Sequence, residues 1–108
     1  MSARGTILLE QPRAAAHWCA AARASGRTLG LVPTMGALHA GHVSLLRRAA
    51  SECELVCASI FVNPLQFDDP GDFERYPRDL EGDVELLGNA GCDMVFTGTL
   101  PEFFPEAV

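Results

Sequence analysis

The 108-residue sequence contains no lysine; all eight of its basic residues are arginine. Chemistry that needs a lysine on this chain is therefore excluded: a P-loop ATPase, a Schiff-base enzyme and a ligase passing through lysyl-AMP. Basic charge of any kind is scarce. Fourteen acids against eight bases leave a net charge of −6, which argues against a nucleic-acid binder, because phosphate-backbone affinity depends on clustered Lys and Arg. No run of 18 apolar residues occurs, so no membrane span is expected. Met1 to Glu10 carries one arginine and a short apolar stretch, too little for the apolar region of a secretory signal. The four cysteines, Cys19, Cys53, Cys57 and Cys92, form neither a disulfide framework nor a metal knuckle. The Cys53–Cys57 spacing would share a helix face but lacks further ligands nearby. They read as small buried hydrophobes in a reducing compartment. Nearly half the residues are apolar, enough to offset ordering entropy, so one acidic, globular, cytoplasmic domain is expected.

Strand and helix signals alternate along the chain. Thr6 to Leu9 predicts a short strand, and Pro12 opens an Ala-rich helix reaching Ser25, stopped by Gly26. Ala14, Trp18, Ala21 and Ala22 fall on one face of it, which places Trp18 on the core. Thr28 to Val32 predicts a buried strand ended by Pro33, and a turn at Thr34-Met35-Gly36 leads into a helix from Leu38 to Glu52. Glu54 to Val62 predicts a second buried strand broken at Asn63-Pro64. Asp68 to Pro77 reads as an acidic loop, Asp79 to Asn89 as a third helix stopped by Gly91, and Asp93 to Phe96 as a last strand. The chain then trails off after Thr99. This is the pattern of an α/β fold, a Rossmann-like parallel sheet with flanking helices joined by right-handed crossovers. Ligands of such sheets bind beyond the carboxyl ends of the strands, which nominates 33–42, 62–67 and 97–100.

The first of these segments is the unusual one. Pro33-Thr34-Met35-Gly36-Ala37-Leu38-His39-Ala40-Gly41-His42 joins a strand to a helix. Its glycines ease a tight turn and allow a phosphate or base to approach the backbone. The helix start offers unpaired N–H groups and the positive end of the dipole. His39 and His42, three apart, project to one face of a helix, and Gly41 between them leaves room for a flat ring or ribose. Together these features favour a nucleoside triphosphate over a purely structural role, and over a zinc site that would lack its third and fourth ligands. His17, with nothing around it, reads as a solvated polar residue. Gln66 follows a buried strand beside Asn63-Pro64; its amide both donates and accepts, which suits a small hydroxy acid. The alternative is a residue that caps loop backbone. Asp68, Asp69, Asp72 and Glu74 read as a solvated acidic surface rather than a cation cage.

Leu31 to His42 resembles the HxGH signature of the nucleotidylyltransferase superfamily. With Ser59 to Phe67, and with Arg75-Tyr76-Pro77-Arg78 and the following Asp83, it resembles more narrowly the pantoate–β-alanine ligase (pantothenate synthetase) family. The likeness runs from about Leu29 to Phe96. It implies an ATP-dependent ligase. The carboxylate of pantoate attacks the α-phosphate of ATP, giving pantoyl adenylate and pyrophosphate; the amine of β-alanine then displaces AMP to give pantothenate. The resemblance implies that Met35, Gly36, Ala37, Leu38, His39, Ala40, Gly41 and His42 line the ATP site. It makes His42 the catalytic proton donor, has His39 help hold the phosphates, and puts Gln66 on pantoate and then on β-alanine. Mg²⁺ would arrive on the phosphates. Asp83 matches an acidic position near metal and phosphates, whereas the residue before it is Gly82, so no metal ligand is assigned. The same resemblance implies a homodimer. It also implies that residues 1–108 are the N-terminal part of the nucleotide-binding domain, with the family's C-terminal domain absent. Two other functions stand beside this one: another HxGH nucleotidylyltransferase, and a non-catalytic fragment or interaction module with an open sheet edge.

Overall fold

A computed structural model describes residues 5–103. The elements are β1 (Ile7–Leu9), α1 (Pro12–Ala24), β2 (Leu29–Thr34), α2 (Ala40–Glu52), β3 (Leu55–Ile60), a 3₁₀ turn at Pro64–Gln66, α3 (Pro70–Arg75), α4 (Leu80–Asn89), β4 (Met94–Phe96) and α5 (Leu100–Phe103). The four strands form one sheet in the order β1-β4-β3-β2, and every neighbouring pair is parallel. This is the α/β arrangement that the alternation of strand and helix signals implies.

The two sheet faces are packed unequally. On one, α2 and α4 contribute Leu46 and Leu87 to a core with Val32, Val56, Ala58, Ile60, Ala90, Cys92 and Val95. Leu46 and Leu87 are wholly buried, each contributing about 1.5–3 kcal/mol through burial. On the other, α1 covers Cys57 and Met94 with Ala15, and Trp18, Cys19 and Phe96 pack around them. Trp18 thus meets the core and Ala22 is buried as expected, but Ala21 faces solvent and Ala15, outside that stripe, is buried as well. Cys57 and Cys92 are buried and all four cysteines are free. Cys53 and Cys57 do not share a helix, since Cys53 caps α2 and Cys57 lies in β3. Cys57 instead meets Cys19 at 3.9 Å between sulfurs. Burial, reinforced by Cys19, pushes the Cys57 thiol up to about 12, so it stays protonated and behaves as a packing group.

Several sequence expectations change in detail. β2 does not end at Pro33 but continues through it to Thr34. Among the described residues it pairs only with β3, and Leu31 is 58% exposed. It is therefore an edge strand rather than a buried one, and a proline without an N–H is tolerated on an edge. α2 begins at Ala40 rather than Leu38. The acidic stretch is not a simple loop: α3 forms in it, because Asp69 accepts from the Gly71 amide at 2.8 Å and Pro70 occupies the first turn. Asp72 pairs with Arg75 at 2.7 Å on the surface. The end of the described chain holds α5 instead of trailing off, since Thr99 is bonded through its amide and hydroxyl to Glu102. These are short-range capping effects, and hydrophobic periodicity does not register them.

Candidate functional site

The carboxyl ends of β2 and β3 open onto a cleft of about 640 Å³. Its walls come from Pro33, Thr34, Met35, Gly36, Ala37, His39 and His42 on one side. Ser59, Phe61, Asn63, Gln66, Tyr76 and Phe103 complete it. Two of the three nominated segments thus converge, as the rule for parallel sheets requires. The third, 97–100, does not reach the cleft; Thr97, Gly98, Thr99 and Leu100 line a separate cavity with Pro64, Phe73 and Arg78.

The floor is set by Thr34. Its buried hydroxyl donates to the Ser59 carbonyl at 2.8 Å and accepts from the Gly36 amide at 3.2 Å, so the last residue of β2 also shapes the turn. Gly36 and Ala37 then both adopt left-handed backbone, with φ of 77° and 49°. The conformation is natural for glycine but for alanine costs roughly 1–2 kcal/mol. Something must hold that turn in place. Asp83, near the start of α4, brings a carboxylate oxygen to within 3.1 Å of where a Cβ on Gly36 would stand, and the Ala37 and Leu38 amides favour its ionised form.

The histidines do not both lie in the helix. His39 is the N-cap of α2 and His42 occupies its third position. The His39 Nδ1 accepts from the Gly41 amide at 3.0 Å, and the His42 Nδ1 accepts from the His39 amide at 3.1 Å. This is a capping box built from two imidazoles in place of the usual hydroxyl and carboxylate. A backbone N–H can only donate, so both Nδ1 atoms are unprotonated, and in each neutral ring the proton sits on Nε2. The rings lie 4.2 Å apart, and each leaves an Nε2–H for a ligand. Burial and then His39 lower the His42 pKa from 6.5, while Asp83 opposes them. Burial and then Asp79 raise the Asp83 pKa from 3.8.

Gly41 has a different role from the one its spacing suggests. A Cβ there would stand 2.9 Å from Cε1 of His39, so the glycine makes room for the capping imidazole itself rather than for a ligand ring. Of the eight residues from Met35 to His42, the cleft is lined by Met35, Gly36, Ala37, His39 and His42. Leu38 packs against the core, and Ala40 and Gly41 lie off the cleft wall. Gln66 lines it with an exposed side chain. His17 is exposed on α1.

Sequence reasoning passed over five contributors. Asn63 read as part of a turn; its side-chain oxygen accepts from the Leu65 amide at 2.9 Å and caps the 3₁₀ turn that carries Gln66. Thr34 and Ser59 sit at paired strand ends, and Tyr76 lies in a block singled out only for its order. Phe103 had no local signal: it arrives through α5 and stacks on Phe61 at 4.3 Å. Among the described residues no group of three His, Cys, Asp or Glu side chains is placed to hold a metal ion, and no helix is long and apolar enough to cross a membrane.

With this geometry in hand, three comparisons bear on the chain. The family profile described as pantoate-beta-alanine ligase matches residues 7–108. The chain is 55% identical over 97 residues to the pantothenate synthetase of Rubrobacter xylanophilus, covering 90% of this chain and 33% of that protein. It is 53% identical over 90 residues to the enzyme of that name from Porphyromonas gingivalis, covering 83% and 32%. Among solved structures it resembles the pantoate-beta-alanine ligase of Francisella tularensis complexed with beta-gamma ATP and beta-alanine. The TM-score there is 0.80 at 35% identity, over 94% of this chain and 39% of that one. The pantothenate synthetase of Thermus thermophilus superposes with a TM-score of 0.73 at 44% identity, over 94% and 35%. The chain thus spans about a third of the length of the curated relatives it matches.

Proposed function

This chain belongs to the pantoate–β-alanine ligase family, and we propose that it carries the ATP- and pantoate-binding portion of a ligase joining pantoate to β-alanine through a pantoyl adenylate. Residues 1–108 then correspond to the N-terminal part of the family's nucleotide-binding domain. One observation carries the reading. Two imidazoles, each with Nδ1 engaged by backbone, hold an Nε2–H apiece at the start of α2 in the cleft that Gln66 also lines.

The chemistry follows from what these groups can do. A pantoate carboxylate oxygen attacks the α-phosphorus, the bond to the bridging oxygen breaks, and pyrophosphate leaves. Charge builds on phosphate oxygens during that step, where fixed donors are most effective; removing one costs roughly 3 kcal/mol of barrier in comparable sites. His39 and His42 are those donors, with the α2 dipole behind them, and His42 is the catalytic residue whose Nε2–H hydrogen-bonds the phosphate oxygens as charge builds there. Met35, Gly36 and Ala37 form the wall against which the nucleotide lies, and Leu38, Ala40 and Gly41 support that wall from behind. Gln66 orients the acid and then the β-alanine amine, which attacks the acyl carbon and releases AMP. Among the described residues no carboxylate lines the cleft, and Asp83 is turned to backbone, so the residues present supply no cage for a resident ion. Mg²⁺ therefore enters with the triphosphate and offsets part of its charge.

The same proposal takes ATP, pantoate and β-alanine as substrates, excludes nucleic acid and membrane as partners, and sets the whole protein as a cytoplasmic homodimer, in keeping with four free cysteines. A second reading, an interaction module, has one observation in its favour: the outer edge of β2, which pairs with no other strand among the described residues, and its exposed Leu31. The deciding experiment is titration calorimetry of the chain with MgATP, paired with pantoate-dependent pyrophosphate exchange. Weak ATP binding with slow or no turnover by this chain, and exchange specific to pantoate over other acids, is expected. Wild-type-like pantothenate formation would show that the chain needs nothing more. No ATP heat together with concentration-dependent oligomers on size exclusion would favour the module.

A further inference from the structure

Asp83 lies on α4, outside the segment that forms the cleft wall, yet it meets that segment from behind. Its Oδ2 stands 3.1 Å from the position a Cβ on Gly36 would take, at the first of two successive left-handed residues. The side chain is half-buried. From these observations we infer that Asp83 is a positioning residue: its carboxylate braces the Gly36–Ala37 turn in the shape that presents Met35, His39 and His42 to the cleft. The inference rests on the functional reading above for what the turn is for, but not for how it is held.

Three features make the brace specific. The turn contains a non-glycine residue in left-handed backbone, which persists only where its surroundings over-determine it. The Ala37 and Leu38 amides favour the ionised carboxylate, and His42 is coupled to it with the opposite sign of charge. The remaining titratable groups facing this point are His39, capping α2, and Asp79, capping α4. Asp79 accepts from the Gly82 amide at 3.1 Å and repels Asp83, so the two carboxylates near the α4 start are divided between two tasks. One caps its own helix and the other is turned on the neighbouring loop. Glycine at 36 serves both needs, since it takes the left-handed φ and leaves space for the carboxylate.

The experiment compares the chain with its Asp83→Ala, Asp83→Asn and Glu85→Gln variants, the last an exposed control on α4. Amide hydrogen exchange, the imidazole titration of His42 by NMR, and MgATP titration are read on each. Asp83→Ala is expected to speed exchange at Ala37 and Leu38 at least tenfold, with the Leu46 amide unchanged, and to weaken MgATP binding about tenfold. Asp83→Asn keeps an acceptor oxygen without the charge; it is expected to restore most of the amide protection while His42 titrates at lower pH than in the wild type. Unchanged exchange in Asp83→Ala overturns the inference. So does an Asp83→Asn variant that keeps the loop protected but loses MgATP as completely as Asp83→Ala, because the carboxylate would then act on the nucleotide or its metal directly. If Asp83→Ala does not fold, an unchanged His42 midpoint in Asp83→Asn overturns it. A wild-type chain that takes up no MgATP removes the functional reading, while exchange and His42 titration still decide the brace.

Discussion

α2 and α4 pack side by side on one face of the sheet, and their N-termini are finished in opposite ways. α4 is capped by Asp79 and carries Glu81 and Asp83 in its first turn, so carboxylates already meet its positive dipole end. α2 is capped by His39 and His42 and has no acid in its first turn. Neutral imidazoles engage the His39 and Gly41 amides there without cancelling its dipole. Both helices are anchored equally, through Leu46 and Leu87 at zero exposure. The difference lies at their ends: the α4 terminus meets carboxylates from its own first turn, and the α2 terminus has none there.

The largest effect should come from what the helices share. Leu46→Ala and Leu87→Ala are each expected to cost about 2–5 kcal/mol, measured by urea denaturation, and a large gap between them would break the claim of equal anchoring. Next is the contrast itself. His42→Asp makes α2 resemble α4, and it should hold or raise the unfolding midpoint while weakening MgATP binding on the order of a hundredfold, roughly 3 kcal/mol. Equal losses in folding and binding would mean that the imidazole is structural. Asp79→Ala, by removing the cap of α4, should cost about 1 kcal/mol and leave MgATP affinity within a factor of two by calorimetry.

The smallest effect is a pH dependence. Folding lowers the His42 pKa from 6.5, chiefly through burial, so the neutral ring is the form the fold prefers. Its stabilising contribution is complete above pH 6.5 and is lost as pH falls through the lowered value. Protonating Nδ1 would also remove the acceptor that holds the His39 amide. Asp83 has the opposite sign: its pKa is raised from 3.8 by burial and Asp79, so its contribution is complete below 3.8 and fades as pH rises through the folded value. Thermal unfolding from pH 7.5 down to 5.5 should therefore fall more steeply for the wild type than for His42→Gln. Parallel curves would detach His42 from the capping box.

The fold, and the convergence of His39, His42 and Gln66 on one candidate cleft, are legible in the sequence for reasons of periodicity. Apolar runs at Thr28–Val32 and Glu54–Val62, with helical spacing between them, announce parallel strands and a crossover, and the carboxyl-end rule then points to His39, His42 and Gln66. What escaped were effects without a period. Pro33 inside a strand needs an edge to sit on, and only the strand order supplies one. α3 and α5 depend on single caps. Phe103 joins the cleft because α5 folds back over Phe61.

Sequence alone determined the chemistry available: no lysine, two histidines spaced three apart, glycines at 36 and 41, and a strand-to-helix junction that brings them to the end of a sheet. Those follow from residue identity and short-range geometry. Tertiary structure decided how each is used. It made Gly41 a seat for His39 rather than for a ligand, turned the two imidazoles into a cap with Nε2 left free, and set Asp83 of a distant helix against Gly36. Contacts between residues far apart in the chain leave no repeating mark in the sequence; they arise when packing of α2 and α4 on a common core brings the ends of the two helices together.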